Sequence, residues 1–168
     1  MVFISSDTNV WIDFYQINRL NLPFKLPFIF VMYKETAKEE LLYPYNLKDN
    51  LLKEGLRITE IDDEEIELAE NYVEKYKRIS YHDAIALAIA KHRQISLLTG
   101  DNSLRKAAMQ ESVIVFGTLK ILDMLFEEEK ISNEDYSQCL KKLKNKNGKG
   151  VRLPLKEIEK RLSKSSKF

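Results

Sequence analysis

The chain has one cysteine, Cys139, so it can form no internal disulfide and no cysteine-based zinc site. Glycine and proline are nearly as scarce, at 5 and 4 residues, which argues against collagen-like repeats, extended low-complexity disorder and a turn-rich β-sandwich. No apolar run approaches the roughly 20 residues of a membrane-spanning helix. The opening apolar stretch is a few residues long, lacks a basic leader and meets Asp7 at once, so it does not read as a secretory signal. These absences together lead us to expect a cytoplasmic protein with no membrane association. No phosphate-binding glycine loop of either common spacing is present, and the serines have no evident histidine partner. The two histidines, His82 and His92, are ten apart without the acidic spacing of a zinc motif. His82-Asp83 resembles the pair of HD-type phosphohydrolases, but the further histidines are missing.

What remains is an ordinary globular composition: 168 residues, 44% hydrophobic and 32% charged, enough for one core with an appendage. Charge is unevenly placed. Residues 141–168 hold eleven Lys/Arg against Glu157 and Glu159, a net of +9, which leaves −8 for the first 140 residues of a chain whose total is +1. A basic end on an acidic body is read three ways: nucleic-acid contact, docking on an acidic surface, or a solvated lysine-rich end.

Apolar runs alternate with helical spacing along the chain. Strands are expected at residues 2–6, 28–32, 56–61, 95–98 and 113–116, with helices between them at about 33–42, 46–53, 62–76 and 83–92, then after Asp101 and after Gly117. Residues 84–90 read Ala-Ile-Ala-Leu-Ala-Ile-Ala. The alternation is strand-like, but the alanines and the Ser80-x-x-Asp83 capping spacing favour a helix buried on most sides. Strand–helix repetition of this kind gives an α/β class, three-layer α/β/α with a mostly parallel sheet of about five strands. Two further helices, near 132–143 and 155–162, follow. We therefore expect an α/β domain over 1–128 and a basic helical extension over 129–168.

Two strands end in aspartates, Asp7 and Asp101. Ligand sites of open parallel sheets lie beyond the carboxyl ends of the strands. Asp83 begins the buried helix, and Glu40 lies on the helix after the second strand, with Glu39 as its rival. Each acid also has a local reading: Asp7, Asp83 and Asp101 as helix caps, Glu40 as a surface residue. Jointly, four converging carboxylates would repel one another unless a cation sat among them, and oxygen-only ligands select hard ions, Mg²⁺ or Mn²⁺. The chemistry indicated is metal-assisted phosphodiester hydrolysis. Trp11, beside Asp7, is read as core.

In order and type these residues resemble the PIN domain, a metal-dependent nuclease fold. Asp7-Thr8-Asn9-Val10 is similar to its opening motif, Ala37-Lys38-Glu39-Glu40-Leu41 to its second, Ser80-x-x-Asp83-Ala84 to its third, and Leu98-Thr99-Gly100-Asp101 to its fourth. The resemblance covers residues 2–126, and Val115–Leu122 with the stretch to Pro154 resembles a subfamily bearing a helical extension. It implies that Asp7, Glu40, Asp83 and Asp101 are catalytic. Asp7, Asp83 and Asp101 would be metal ligands, with Thr8, Asn9, Thr99 and Ser103 as their hydrogen-bonded support. It also implies RNA as the favoured nucleic-acid substrate, a homodimer, and, by analogy with VapC-like toxins, a small antitoxin partner. Two departures stand out: Tyr33-Lys34 replaces the usual proline before the second acid, and Asn102 follows Asp101. The alternative is a catalytically inactive PIN-like binding or assembly module.

Overall fold

The computed structural model describes residues 1–167. Five strands form one sheet: β1 (Val2–Ser6), β2 (Phe28–Tyr33), β3 (Arg57–Thr59), β4 (Ser96–Leu98) and β5 (Val115–Phe116). Their order is β3-β2-β1-β4-β5 and every neighbouring pair is parallel. The α/β class, the three layers and the strand number are as expected. β1 is central because it can be buried on both faces: Ile4 is fully buried, and pairs with Phe30 on one side and Ser96 on the other.

Successive strand residues point to opposite faces, so the apolar runs divide between two cores. Ile4, Phe30, Met32 and Leu98 face the first. There they meet α1 (Asn9–Gln16), α2 (Lys34–Glu40), α3 (Leu47–Glu54) and α7 (Thr118–Glu127). Trp11 anchors this core, with no exposure, stacked on Phe24 at 5.2 Å and edge-on to Phe30 at 5.1 Å. Ile29, Val31 and Leu97 face the second core, formed with α4 (Asp63–Lys75), α5 (Tyr81–His92) and α6 (Asn102–Gln110).

Helix α5 is the Ala/Ile/Leu segment, buried from Ala84 to Ala90. Its start is fixed by a reciprocal cap: Ser80 Oγ accepts from the Asp83 N–H at 3.0 Å, and Asp83 accepts from the Ser80 N–H at 2.9 Å. Alanine on alternate positions lets the helix approach the sheet closely enough for Ser5 Oγ to donate to the Ala86 carbonyl at 2.8 Å. Helix α4 starts with a second capping box, Asp62 with Glu65, and Asp63, Glu64 and Glu65 fill its first turn, where the helix dipole favours acids.

Some boundaries moved. Tyr33 belongs to β2, where it pairs with Thr59, so α2 begins one residue later than the apolar spacing suggested and ends at Glu40. β5 shortens to two residues because Ser112 takes a left-handed conformation (φ 59°) and Val113 packs as the end of the connection from α6.

Helices α8 (Asn133–Lys146) and α9 (Leu155–Ser165) complete the chain. Cys139, Leu140, Leu143 and Ile158 are buried in the same core as Trp11. Two ion pairs fasten them: Arg19 with Asp135, both nitrogens at 3.2 Å, and Arg161 with Asp123 at 2.8 Å. Among the described residues no helix is long and apolar enough to cross a membrane.

Candidate active site

β1 and β4 are parallel neighbours, with Ser6 opposite Leu98, so the residues following them emerge at the same sheet edge. The Asp7 N–H continues the ladder to the Leu98 carbonyl at 2.9 Å, and the chains then diverge into α1 and α6. Asp7 is 4% exposed. Its Oδ1 accepts from the Thr8 N–H at 2.8 Å and its Oδ2 from Thr99 Oγ1 at 2.9 Å. It is not the cap of α1: that position is Thr8, which makes no side-chain cap. The local alternative for Asp7 therefore does not account for its burial.

Asp101 does cap its helix, accepting from the Leu104 N–H at 2.8 Å through Oδ1. Thr99 Oγ1 also accepts from the Asp101 N–H at 3.1 Å, so one hydroxyl orients the turn carrying Asp101 and the carboxylate of Asp7. Asn9 Oδ1 fixes the same turn from the other strand by accepting from the Gly100 N–H at 2.9 Å. Glu40, at the end of α2, accepts from Thr8 Oγ1 at 2.9 Å. Glu39 turns instead to His82 Nε2 at 2.7 Å. Of the two neighbouring glutamates, Glu40 is thus the one brought beside Asp7. Asp83 sits in the first turn of α5 with one oxygen in the capping box. Ser103 makes no hydrogen bond to these acids among the described residues.

The electrostatics show how close the acids are. Burial, then the Asp83 charge and more weakly that of Glu40, push the Asp7 carboxyl up to about 7, against the opposing hydrogen bonds from Thr8 and Thr99. Burial, with the Asp101 charge adding to it, raises Asp83 above the usual carboxylate range despite its bonds to Ser80. Among the described residues no lysine or arginine makes an ion pair within 4 Å of any of the four; His82 Nδ1 lies 4.0 Å from Glu40 Oε1. His82 was missed as a site residue. Its Nδ1 lies 2.7 Å from Thr36 Oγ1, so it spans α2 and α5. Its place next to Asp83 was the available signal.

The donor set suits a hard divalent cation. All four acids offer oxygen, and Asp83 Oδ1 and Asp101 Oδ2 have no hydrogen-bond partner among the described residues. Among the described residues these four are not a group whose ligand atoms all lie within 4.8 Å of one another. A tighter group, Asp62, Glu65 and His92, has ligand atoms within 4.8 Å of one another. It lies at the far end of α5, nine residues from Asp83 or about 13 Å along the helix. Glu65 there is already neutralised by Arg93, at 2.6 and 3.1 Å, and held in its capping box.

A five-strand all-parallel sheet with carboxylates beyond β1 and β4 that lack a lysine or arginine partner defines an α/β protein with an acidic sheet edge. The chain belongs to the family described as DUF3368: PIN domain, whose model matches residues 3–167. PIN domains are generally nucleases of nucleic acid that use divalent metals. No curated protein and no solved structure matches the chain.

Proposed function

We propose that the protein is a Mg²⁺- or Mn²⁺-dependent endonuclease hydrolysing phosphodiester bonds, with RNA as its favoured substrate. The observation that carries this is four carboxylates within Coulombic reach and without a lysine or arginine partner, one of them buried and pushed up to about 7. Folding does not retain such a group for stability, since isolated buried charge is costly.

In this reading Asp7, Asp83 and Asp101 hold the cation. When bound, the cation neutralises the carboxylates and the charge developing on the phosphate. Glu40 Oε1 accepts the proton of the attacking water as the water oxygen bonds to phosphorus, while the bond from phosphorus to the sugar oxygen of the leaving strand breaks and a solvent water gives that oxygen its proton. Thr8 aims Glu40 through its hydroxyl. Thr99 and the Thr8 N–H fix the two oxygens of Asp7, and Asn9 holds the Gly100 turn. Catalysis resides in residues 1–128, with 129–168 a basic helical extension. The PIN resemblance implies a preference for RNA, a homodimer and, by analogy with VapC-like toxins, control by a small antitoxin, and the cytoplasmic setting is proposed from the single cysteine, Cys139.

Asp7→Asn and Asp101→Asn test the reading. Asparagine caps helices as well as aspartate, so Asp101→Asn keeps the Leu104 bond. Both variants should remain folded by circular dichroism and lose Mn²⁺-dependent cleavage of single-stranded RNA. Undiminished cleavage in both would overturn the reading. Mn²⁺ binding by calorimetry that persists in both variants would instead favour the non-catalytic module.

A further inference from the structure

A cavity of about 1200 Å³ does not lie over the carboxylates but starts beside them. Gly100 and Asn102, which flank Asp101, form one end. From there it runs along β5 and the start of α7 to the segment between α8 and α9. The extension therefore supplies one wall of a groove that begins at the two neighbours of Asp101.

Its charge is the reverse of the site's. Arg105, Lys120 and Arg152 line it, and none is paired with a carboxylate among the described residues. Arg105 has only a long contact, 3.4 Å, to the Thr99 carbonyl. Arg161 also lines it, but Asp123 and Glu157 hold that side chain, and Glu157, the one acid on the wall, is spent on it at 2.9 Å. Gly117 gives the Arg105 guanidinium its room: a Cβ there would stand 2.7 Å from Nη2. The floor is apolar, with Ile114 66% exposed and Phe116 and Leu153 half-buried.

We propose that this groove is a binding path for single-stranded nucleic acid, holding the strand that flanks the scissile phosphate, with Arg105, Lys120 and Arg152 on its phosphates. The inference rests on the nuclease reading for what happens at the Asp101 end, but the binding stands by itself. Cationic walls over an apolar floor suit a strand with free base faces; a duplex hides those faces in its stack. The three cations come from α6, α7 and the extension, so the last part of the chain has a task that its net charge alone did not specify.

The test uses the full chain in EDTA, where cleavage cannot intervene, and a short fluorescein-labelled oligouridylate followed by anisotropy across a salt series. Each phosphate contact on a single strand contributes a slope of about 0.7 in log K against log salt. Arg152→Gln, at an exposed position, should lower the slope magnitude by about 0.7, and Arg105→Gln/Lys120→Gln/Arg152→Gln by about 2. Lys141→Gln/Lys142→Gln, on α8 and outside the groove, should leave it unchanged. Absence of binding by the wild type, an unaltered slope in the triple variant, or an equal loss in the control overturns the groove. So does a polyglutamate peptide that binds as tightly and is lost with the same substitutions. Binding through the groove by a protein that cleaves nothing with any divalent cation would leave the groove standing and refute the nuclease reading.

Discussion

Replacing Asp7 with asparagine should make the metal-free protein more stable while removing its activity. The folded state raises the Asp7 carboxyl from 3.8 to about 7, burial being the main cause and the Asp83 charge the second. The folded protein thus holds this proton more tightly than the unfolded chain does. Stability from this group is complete below about pH 4, declines as pH rises, and is fully lost above about pH 7. A difference of about 3 units corresponds to about 4 kcal/mol at pH 8. The asparagine of the variant carries no charge, accepts from the Thr8 N–H and donates to Thr99 Oγ1, but these neutral bonds are weaker than those to a carboxylate. The net gain should be about 2–4 kcal/mol, or roughly 5–15 °C in Tm for a chain of this length. The assay is urea denaturation of both proteins in EDTA between pH 4 and 8. The gap should be near zero at pH 4 and widen to pH 7. With Mn²⁺ at 100 times its Kd, the wild type alone should gain about 2.7 kcal/mol. An Asp7→Asn protein less stable than the wild type at pH 8 in EDTA, or a gap constant with pH, would refute the reasoning.

Two further outcomes are expected. Asp13, 7% exposed and accepting from Thr118 Oγ1 at 2.6 Å, is pushed by burial up to about 6, so it too erodes stability as pH rises from about 4 to 6. Asp13→Asn should remove a drop of about 3 kcal/mol from the pH–stability profile over that window, measured by denaturation in EDTA; an unchanged profile would contradict it. Thr8→Val removes the hydroxyl that aims Glu40 and should slow cleavage about 10–100-fold at saturating Mn²⁺ without changing Mn²⁺ affinity appreciably, whereas an undiminished rate would show that Glu40 needs no such support.

The parts of the site that were legible in the sequence are those with a local signature. Ser80-x-x-Asp83 is a capping spacing, and it forms as read. Asp7 and Asp101 follow short apolar runs that a parallel sheet aligns, so the strand pattern alone brings them to one edge. The choice between Glu39 and Glu40 had no local signal. It is made by a hydroxyl 32 residues away, on Thr8, and by His82, which engages Glu39. The cap reading of Asp7 failed because the N-cap of α1 falls one residue later, at Thr8. The groove was invisible for the same reason as the Glu40 choice: Arg105 and Arg152 meet only through the packing of the last helices on α7. Periodicity reports which face of an element is buried, whereas contacts between charged residues from distant elements depend on how those faces are stacked.

The hydrogen bond from Thr99 to Asp7 spans 92 residues of chain. A ribosome making this protein holds, for most of the first hundred residues, a polypeptide with β1 and β2 but without the partner that completes the sheet edge. Asp7 and Glu40 then have neither Asp83 nor Asp101 beside them. The four carboxylates come together only when β4 pairs with β1 and α6 begins, which cannot precede emergence of Asp101 from the exit tunnel. In the proposed reading, the nascent chain is harmless to the messenger that encodes it until it has nearly finished its sheet.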